Sequence, residues 1–312
     1  MALQILLLLV GLALIVFGAD WLVDGASAIA RKAGISEFVI GLTIVGFGTS
    51  CPELVVSLTG ALQGNADISV GNVIGSNIFN TLLILGMTAV IAPVAVTRAN
   101  SRRDIPIVML VTFLFAFFCL SGKEINRWEG LAFLVIFIGY MVYCFKTDDG
   151  SASKEAADVK VRNIWLAILL VAAGLGGLIL GGQLFVNNAT AIARAIGVSD
   201  KFIAITLLAG GTSLPELATC IVAAAKKKDQ LALGNVLGSN VFNILLILCT
   251  SAVVTPLSTL AITWVDLAAV ILSVVLVWLW TYTGKRNVID RWEAVLMLLC
   301  FAGYYTWLFL KL

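Results

Sequence analysis

Apolar stretches of about 20 residues recur along the whole 312-residue chain, and each is long enough to cross a bilayer as an α-helix. Hydrophobic residues make up 61% of the sequence and charged residues only 12%, too few to cover a soluble protein of this length. The composition therefore predicts a multi-pass membrane protein surrounded by lipid. Nothing in the sequence indicates a nucleic-acid partner or an obligatory protein partner.

The hydropathy pattern predicts an all-α fold of ten transmembrane helices. The spans lie at about 3–30, 36–62, 68–92, 105–121, 128–145, 163–193, 199–225, 231–254, 262–282 and 291–310. The polar segment 146–162 separates the fifth span from the sixth and is typical of a linker. We therefore divide the chain into a first five-helix unit at 1–145, the linker at 146–162 and a second five-helix unit at 163–312.

The basic residues are distributed unequally between the two predicted membrane faces. Fifteen lysines and arginines fall on the face that carries the linker, and five fall on the face that carries both termini. The positive-inside rule then predicts a cytoplasmic linker and both termini outside. Lys226, Lys227 and Lys228 belong to the cytoplasmic group, and we interpret them as a membrane-surface anchor.

Two polar motifs each occur twice, 163 residues apart. The first motif is GTSCPEL at 48–54 and GTSLPEL at 211–217, and the second is GNVIGSNIFN at 71–80 and GNVLGSNVFN at 234–243. Because each half has an odd number of spans, the second half must enter the membrane in the opposite orientation. The sequence thus predicts two inverted five-helix repeats, an architecture common in secondary transporters.

Each copy of the first motif places one glutamate, Glu53 or Glu216, near the middle of a predicted span. A carboxylate in hydrocarbon costs about 3 kcal/mol or more, and no lysine or arginine lies near either glutamate in its own span. Protonation would lower this cost, and so would a bound cation, which we favour. Pro52 and Pro215 remove helical hydrogen bonds, so each helix should open just before its proline and free carbonyls for a cation.

Further oxygens lie beside both glutamates. Four hydroxyls occupy the same helix faces as the glutamates, and the second motif adds polar stripes spaced by four residues; these residues are Thr49, Ser50, Thr212, Ser213, Asn72, Ser76, Asn80, Asn235, Ser239 and Asn243. Helix packing through small residues and interhelical hydrogen bonds is the alternative interpretation of the stripes. Their repetition beside a duplicated glutamate favours a binding site.

A count of ligands points to Ca²⁺. Two carboxylates supply up to four oxygens, Thr49 and Thr212 bring the count to six, and Asn80, Asn243 or water can add more. The chain has no histidine, and Cys51 has no cysteine counterpart at Leu214, so soft metal ions are not favoured. Mg²⁺ retains too much of its water to suit such a site.

An empty site of charge near minus two is costly in the membrane. The site should therefore pass from one membrane face to the other only when cations occupy it, which is the basis of obligatory exchange. Na⁺ is the expected counter-ion, and the alternative is H⁺ exchange for Ca²⁺ or another divalent cation. An intramembrane hydrolase lacks support because there is no nucleophile–base pair, and a channel fits poorly with two proline-broken helices. We expect no enzymatic activity, no catalytic residue and no organic cofactor.

With these motifs, the chain resembles the sodium/calcium exchanger family of the cation/calcium antiporter superfamily, over essentially its whole length. The resemblance implies ten helices, alternating access by sliding of the first and sixth helices, and four central cation sites. It implies Ca²⁺ ligation by Glu53, Glu216, Thr49 and Thr212. It also implies Na⁺ sites with Ser50, Ser76, Ser213, Ser239 and the carbonyls of Gly46 and Ala209, closed by Asn80 and Asn243.

Some relatives in that family carry aspartate at the second of the two asparagine positions, which leaves ion stoichiometry and potassium dependence open. The short linker fits a compact prokaryotic member in the plasma (inner) membrane. Asp20 and Asp24 fall late in the first span. We interpret them as an interfacial pair near Arg31 and Lys32, with a place along the cytoplasmic ion path as the alternative.

Overall fold

The computed structural model describes residues 1–122, 124–148, 163–197, 209–283 and 287–311. The helices are α1 (Ala2–Ala33), α2 (Glu37–Thr49), α3 (Cys51–Leu62), α4 (Ala66–Ile91), α5 (Asn100–Ser121), α6 (Arg127–Thr147), α7 (Ile164–Ala195), α8 (Leu214–Ala225), α9 (Asp229–Val254), α10 (Trp264–Trp280) and α11 (Arg291–Lys311). A single helical turn, Ala209–Gly211, precedes α8. The predicted linker lies outside the described residues except for 146–148, and so do 199–208 of the predicted seventh span.

Within the described residues, seven helices are long and apolar enough to cross a bilayer, and eight are if α2 and α3 form one bent span. The apolar helices α8 and α10 are shorter, with 12 and 17 residues. The all-helical membrane fold is thus observed, whereas the count of ten spans stays a prediction.

The predicted opening of the second span is present. Helices α2 and α3 are bent by 48° relative to each other, and the break falls at Ser50, two residues before Pro52. Residues Gly41–Val45 of α2 also widen into a π-helical turn. In the second half, Ser213 has nearly the same backbone angles as Ser50 (φ −90°, ψ 8° against φ −85°, ψ 6°) and stands directly before α8.

Besides the helices, the described residues contain four strands of two residues each. Strand β1 (Val94–Ala95) pairs antiparallel with β4 (Val288–Ile289), and β2 (Glu124–Ile125) pairs with β3 (Leu257–Ser258). Segments this short carry no alternating hydrophobic pattern that a sequence could reveal. Each ladder joins one half of the chain to the other.

The element bounds repeat along the chain. Adding 163 to the bounds of α3, α4 and β1 gives those of α8, α9 and β3, and adding 164 to those of α6 and β2 gives those of α11 and β4. The same shifts convert one strand ladder into the other with the same register, since Val94 faces Ile289 in the first ladder and Leu257 faces Ile125 in the second. The duplicated sequence therefore folds into matching local structures.

Helices α1 and α7 pack against each other backbone to backbone. A Cβ atom added to Gly18 would lie 2.8 Å from the Gly174 carbonyl oxygen, and one added to Gly11 would lie 2.9 Å from that of Gly181. Gly11 and Gly18 are seven residues apart, as are Gly174 and Gly181, so one glycine seam runs along both helices. The seam makes α1 and α7 one closely fitted pair, which also contacts α8 and α2.

A second close crossing joins α9 to α2. Gly238 lies so near Leu42 that an added Cβ would overlap the Leu42 carbonyl oxygen, and Gly234 has the same relation to Phe38. Only glycine allows the two backbones to approach this closely. The crossing holds the first half of α2 against the buried helix that carries the second copy of the polar stripe.

The substitution Gly238→Ala should destabilise the fold, because the new methyl group meets backbone rather than a movable side chain. We expect the free energy of unfolding to fall by about 1–3 kcal/mol, measured as a lower thermal unfolding midpoint in detergent. Gly139→Ala on α6 is the matched control, since no atom lies within 4 Å of the added Cβ. An unchanged midpoint for Gly238→Ala would contradict the close crossing.

Candidate cation-binding site

The two motif glutamates lie together in the interior, each held by the opposite half of the chain. The Ser213 hydroxyl donates a hydrogen bond to Glu53 Oε1 at 2.9 Å, and the Ser50 hydroxyl donates to Glu216 Oε1 at 2.9 Å. Both carboxylates are buried, with 1% and 0% of the residue exposed. The helix breaks at Ser50 and Ser213 therefore place two carboxylates and two hydroxyls around one point between the halves.

Several buried oxygens on the two glutamates and on the segments that pack around them have no hydrogen-bond partner among the described residues. They are the second carboxylate oxygens of both glutamates and the side-chain oxygens of Thr212, Ser239, Asn80 and Asn243. An unpaired buried polar atom costs about 1–3 kcal/mol, and a charged one costs more. The accumulation of so many acceptors beside two carboxylates is what a cation-binding site requires.

Thr49 faces the second half through its hydroxyl. This hydroxyl lies 3.0 Å from the Val45 carbonyl oxygen, 3.4 Å from that of Gly46 and 3.2 Å from Asn235 Oδ1. The backbone at Gly46 packs closely on α9, because an added Cβ would lie 3.3 Å from the Ser239 amide nitrogen. The opened end of α2 thus lies against the polar stripe of α9.

Asn72 and Asn235 serve a purpose that the sequence did not reveal. Asn72 donates through Nδ2 to the Glu53 carbonyl oxygen at 3.2 Å and to Ser57 Oγ at 2.9 Å. Asn235 donates to Cys220 Sγ at 3.2 Å, and Cys220 is the repeat counterpart of Ser57. The first asparagine of each stripe therefore fixes the broken helix beside it. The duplicated Gly-Asn pair marked these positions in the sequence, but the spacing of residues could not predict which atoms the asparagines contact.

Asn80 and Asn243, the last asparagine in each copy of the second motif, lie in π-helical turns. These turns are Phe79–Ile84 of α4 and Phe242–Leu248 of α9, which start at equivalent positions. A π-helical turn widens the helix and is frequent at functional sites. Both asparagines are buried, and neither the amide nitrogen nor the amide oxygen of the Asn243 side chain has a partner in the described part of the chain.

The structure describes the remaining predicted residues less fully. Ser76 is buried on α4 one turn before Asn80, and no hydrogen bond described here joins it to the glutamates. Ala209 begins the helical turn before α8, so its carbonyl belongs to the opened segment. Two hydroxyls that the sequence did not single out, Ser27 and Thr190, also lack partners among the described residues and occupy equivalent positions on α1 and α7.

Asp20 and Asp24 have a partner other than the predicted Arg31 and Lys32. Each has its Oδ1 atom 2.7 Å from Lys226 Nζ, across from the end of α8. A sequence pattern could not supply this contact, because its members are more than 200 positions apart.

The fold and the site describe a helical membrane protein with two buried carboxylates held between its halves. A family model described as sodium/calcium exchanger protein matches residues 3–146 and 166–310. The chain therefore belongs to the sodium/calcium exchanger family.

Relatives and solved structures agree with this family. A protein designated CaxA from Alkalimonas amylolytica is 41% identical over 96% of this chain and 97% of its own length. Sodium/calcium exchanger MaX1 from Methanosarcina acetivorans is 32% identical over 97% of this chain and 98% of its own. The solved sodium-calcium exchanger NCX_Mj superposes with a TM-score of 0.85 at 32% identity, covering 96% of this chain and 97% of that one.

Removal of one orphaned amide should weaken cation binding without breaking an existing contact. We expect Asn243→Ala to raise the dissociation constant for Ca²⁺ roughly tenfold, equivalent to about 1.4 kcal/mol, in isothermal titration calorimetry. Asn77→Ala is the matched control, because Asn77 donates to Val73 of its own helix at 2.7 Å. Equal effects of the two variants would remove Asn243 from the site.

Proposed function

We propose that the chain is a secondary active antiporter that exchanges Ca²⁺ for Na⁺ by alternating access. The observation that carries the proposal is the reciprocal pairing of Glu53 with Ser213 and of Glu216 with Ser50. This pairing leaves one oxygen of each buried carboxylate free for a cation at the junction of the two halves. Membership of a transporter family supports transport without catalysis by residues or by an organic cofactor.

The proposed Ca²⁺ ligands are Glu53 and Glu216 with Thr49 and Thr212. Two carboxylates balance the charge of one Ca²⁺, and the neutral oxygens raise the coordination toward the six to eight that Ca²⁺ takes. We assign the Na⁺ positions to the oxygens that flank this centre. They are the hydroxyls of Ser50, Ser213, Ser76 and Ser239 and the carbonyls of Gly46 and Ala209, with Asn80 and Asn243 closing the centre directly or through water.

Na⁺ coupling is supported by the abundance of neutral oxygens around the glutamates, because hydroxyls and carbonyls bind Na⁺ but do not take up a proton at ordinary pH. H⁺ coupling is the second candidate, since two buried glutamates could each carry a proton. The relatives MaX1 and NCX_Mj are both named sodium–calcium exchangers, which adds support for Na⁺.

We further propose ten transmembrane helices in two inverted five-helix units, 1–145 and 163–312, joined by the linker 146–162. The repetition of element bounds and the exchange of the two strand ladders support this arrangement. The glycine seam supports a movement of α1 and α7 as one body past the site, since the seam fits these helices to each other more closely than to their neighbours.

We place the protein in the plasma (inner) membrane of a prokaryote, with the linker in the cytoplasm and both termini outside. The excess of basic residues on the linker face supports this orientation.

The orientation can be measured with single cysteines in a cysteine-free background. A cysteine at Lys227 should resist a membrane-impermeant maleimide in intact cells and react after lysis, whereas one near Met1 should react in intact cells. Labelling of both sites in intact cells would contradict the seven spans predicted between them.

The transport proposal predicts which gradient drives Ca²⁺ movement in proteoliposomes. An outward Na⁺ gradient should drive uptake of ⁴⁵Ca²⁺, because Na⁺ leaving the vesicle frees the site for Ca²⁺. Uptake under an outward H⁺ gradient alone would favour proton coupling instead. Uptake under neither gradient would overturn the exchanger proposal.

The same assay tests the two glutamates. Glu53→Gln and Glu216→Gln should each abolish exchange, because one remaining carboxylate leaves the charge of Ca²⁺ half balanced in a site with little water. Glu124→Gln is the control, since Glu124 is exposed on β2. Full exchange by both glutamate variants would show that the cations bind elsewhere.

A further inference from the structure

The connection between α8 and α9 is fixed to the body of the protein. Lys228 Nζ lies 2.6 Å from Glu37 Oε1 at the start of α2, in a pair that is mostly buried. Asp229 accepts a hydrogen bond from the Ala95 amide at 3.0 Å, and Gln230 donates to the Ala95 carbonyl oxygen at 2.6 Å. These contacts tie the connection 226–230 to α2 and β1, so it offers a firm attachment point.

From this fixed connection Lys226 reaches across to α1. Its Nζ atom lies 2.7 Å from Asp20 Oδ1, 2.7 Å from Asp24 Oδ1 and 3.2 Å from the Asp20 carbonyl oxygen. Asp20 and Asp24 are four residues apart, on one face of α1. One ammonium group thus holds two carboxylates of the helix that belongs to the α1–α7 pair. We call this contact the ionic latch.

The repeat-related position has no such latch among the residues that the structure describes. The repeat counterparts of Lys226, Asp20 and Asp24 are Gln63, Gln183 and Asn187, all neutral. All three are exposed, and in the part of the chain that the structure describes none of them contacts another through a hydrogen bond. Two halves that match at the site therefore differ at the ends of α1 and α7.

We propose that the ionic latch makes the two end states of the transporter unequal, favouring the state in which the site is shut off from the face that bears Lys226. This inference rests on the proposed alternating access. A movement of the α1–α7 pair that opens the site to this face must separate Asp20 and Asp24 from the fixed Lys226. At the equivalent position the opposite movement displaces only neutral amides, so it breaks no ion pair among the described residues.

The size of the bias follows from the exposure of the charges. Lys226, Asp20 and Asp24 have side chains that are 27%, 46% and 33% exposed, so water screens the pair. Such partly exposed pairs shift an equilibrium by about two- to fivefold. Because apparent affinity scales with the fraction of the competent state, the ratio of the apparent KM values for Ca²⁺ on the two faces should change by this same factor.

The test uses variants that copy the opposite half. Lys226→Gln, and separately the pair Asp20→Gln with Asp24→Asn, should lower the apparent KM for Ca²⁺ on the Lys226 face and raise it on the other face, changing the ratio of the two by about two- to fivefold. The KM is measured in vesicles of each orientation. Because all these residues belong to one contact, the triple variant should behave like Lys226→Gln alone.

The control and the reverse experiment use positions on the same two faces. Lys227→Gln removes the same charge from an exposed neighbour and should change neither KM. The transplant Gln63→Lys with Gln183→Asp and Asn187→Asp should produce the opposite KM changes to Lys226→Gln. If Lys226→Gln moves both KM values together, or matches Lys227→Gln, the latch has no part in the equilibrium.

A distance measurement separates the latch from the transport proposal. Spin labels at Lys32→Cys and Lys227→Cys, in a background without the six native cysteines, report the separation of the end of α1 from the connection. Lys226→Gln should enlarge the fraction of longer distances. If the distances lengthen but the protein exchanges no Ca²⁺, the latch is supported and the proposed function is rejected. If the distance distribution does not change, the latch is rejected.

Discussion

Burial of two carboxylates at one point in the interior is the constraint on which the rest of the structure depends. Glu53 and Glu216 have no basic partner described beside them, so their hydrogen bonds come from neutral donors, and we propose that a cation balances their charge. Helices can deliver those donors only if they break, and both helices break at the serine two residues before the proline. The glycines then let the opened α2 lie directly on the polar stripe of α9.

The cross-wise hydrogen bonds explain why a site built in this way would suit exchange. Each glutamate is held by the serine of the other half, so both halves contribute equally to one centre. In the proposed exchange, bound cations neutralise the two carboxylates and so lower the cost of moving the α1–α7 pair across the centre. The matched halves would make the two directions of this movement alike at the site, whereas the proposed ionic latch of Lys226 with α1 would make them unlike at the ends.

The sequence predicted those parts of the structure that follow from local pattern and from the repeat. Helix ends came within a few residues, and the break before Pro52 appears where the missing amide requires it. The sequence could not predict contacts between the halves, because a repeat shows which positions are equivalent and not which are close in space. Thr49 with Asn235 and Asp24 with Lys226 are two such contacts. The π-helical turns at Asn80 and Asn243 and the two-residue strands leave no signal in hydropathy.

The most direct test of the central claim is an anomalous difference map from crystals of this protein soaked in Ca²⁺. The account predicts one strong peak between Glu53 and Glu216, about 2.3–2.6 Å from an oxygen of each carboxylate. That peak should be absent from crystals of Glu216→Gln. A peak elsewhere in the membrane region, with none between the two glutamates, would contradict the account.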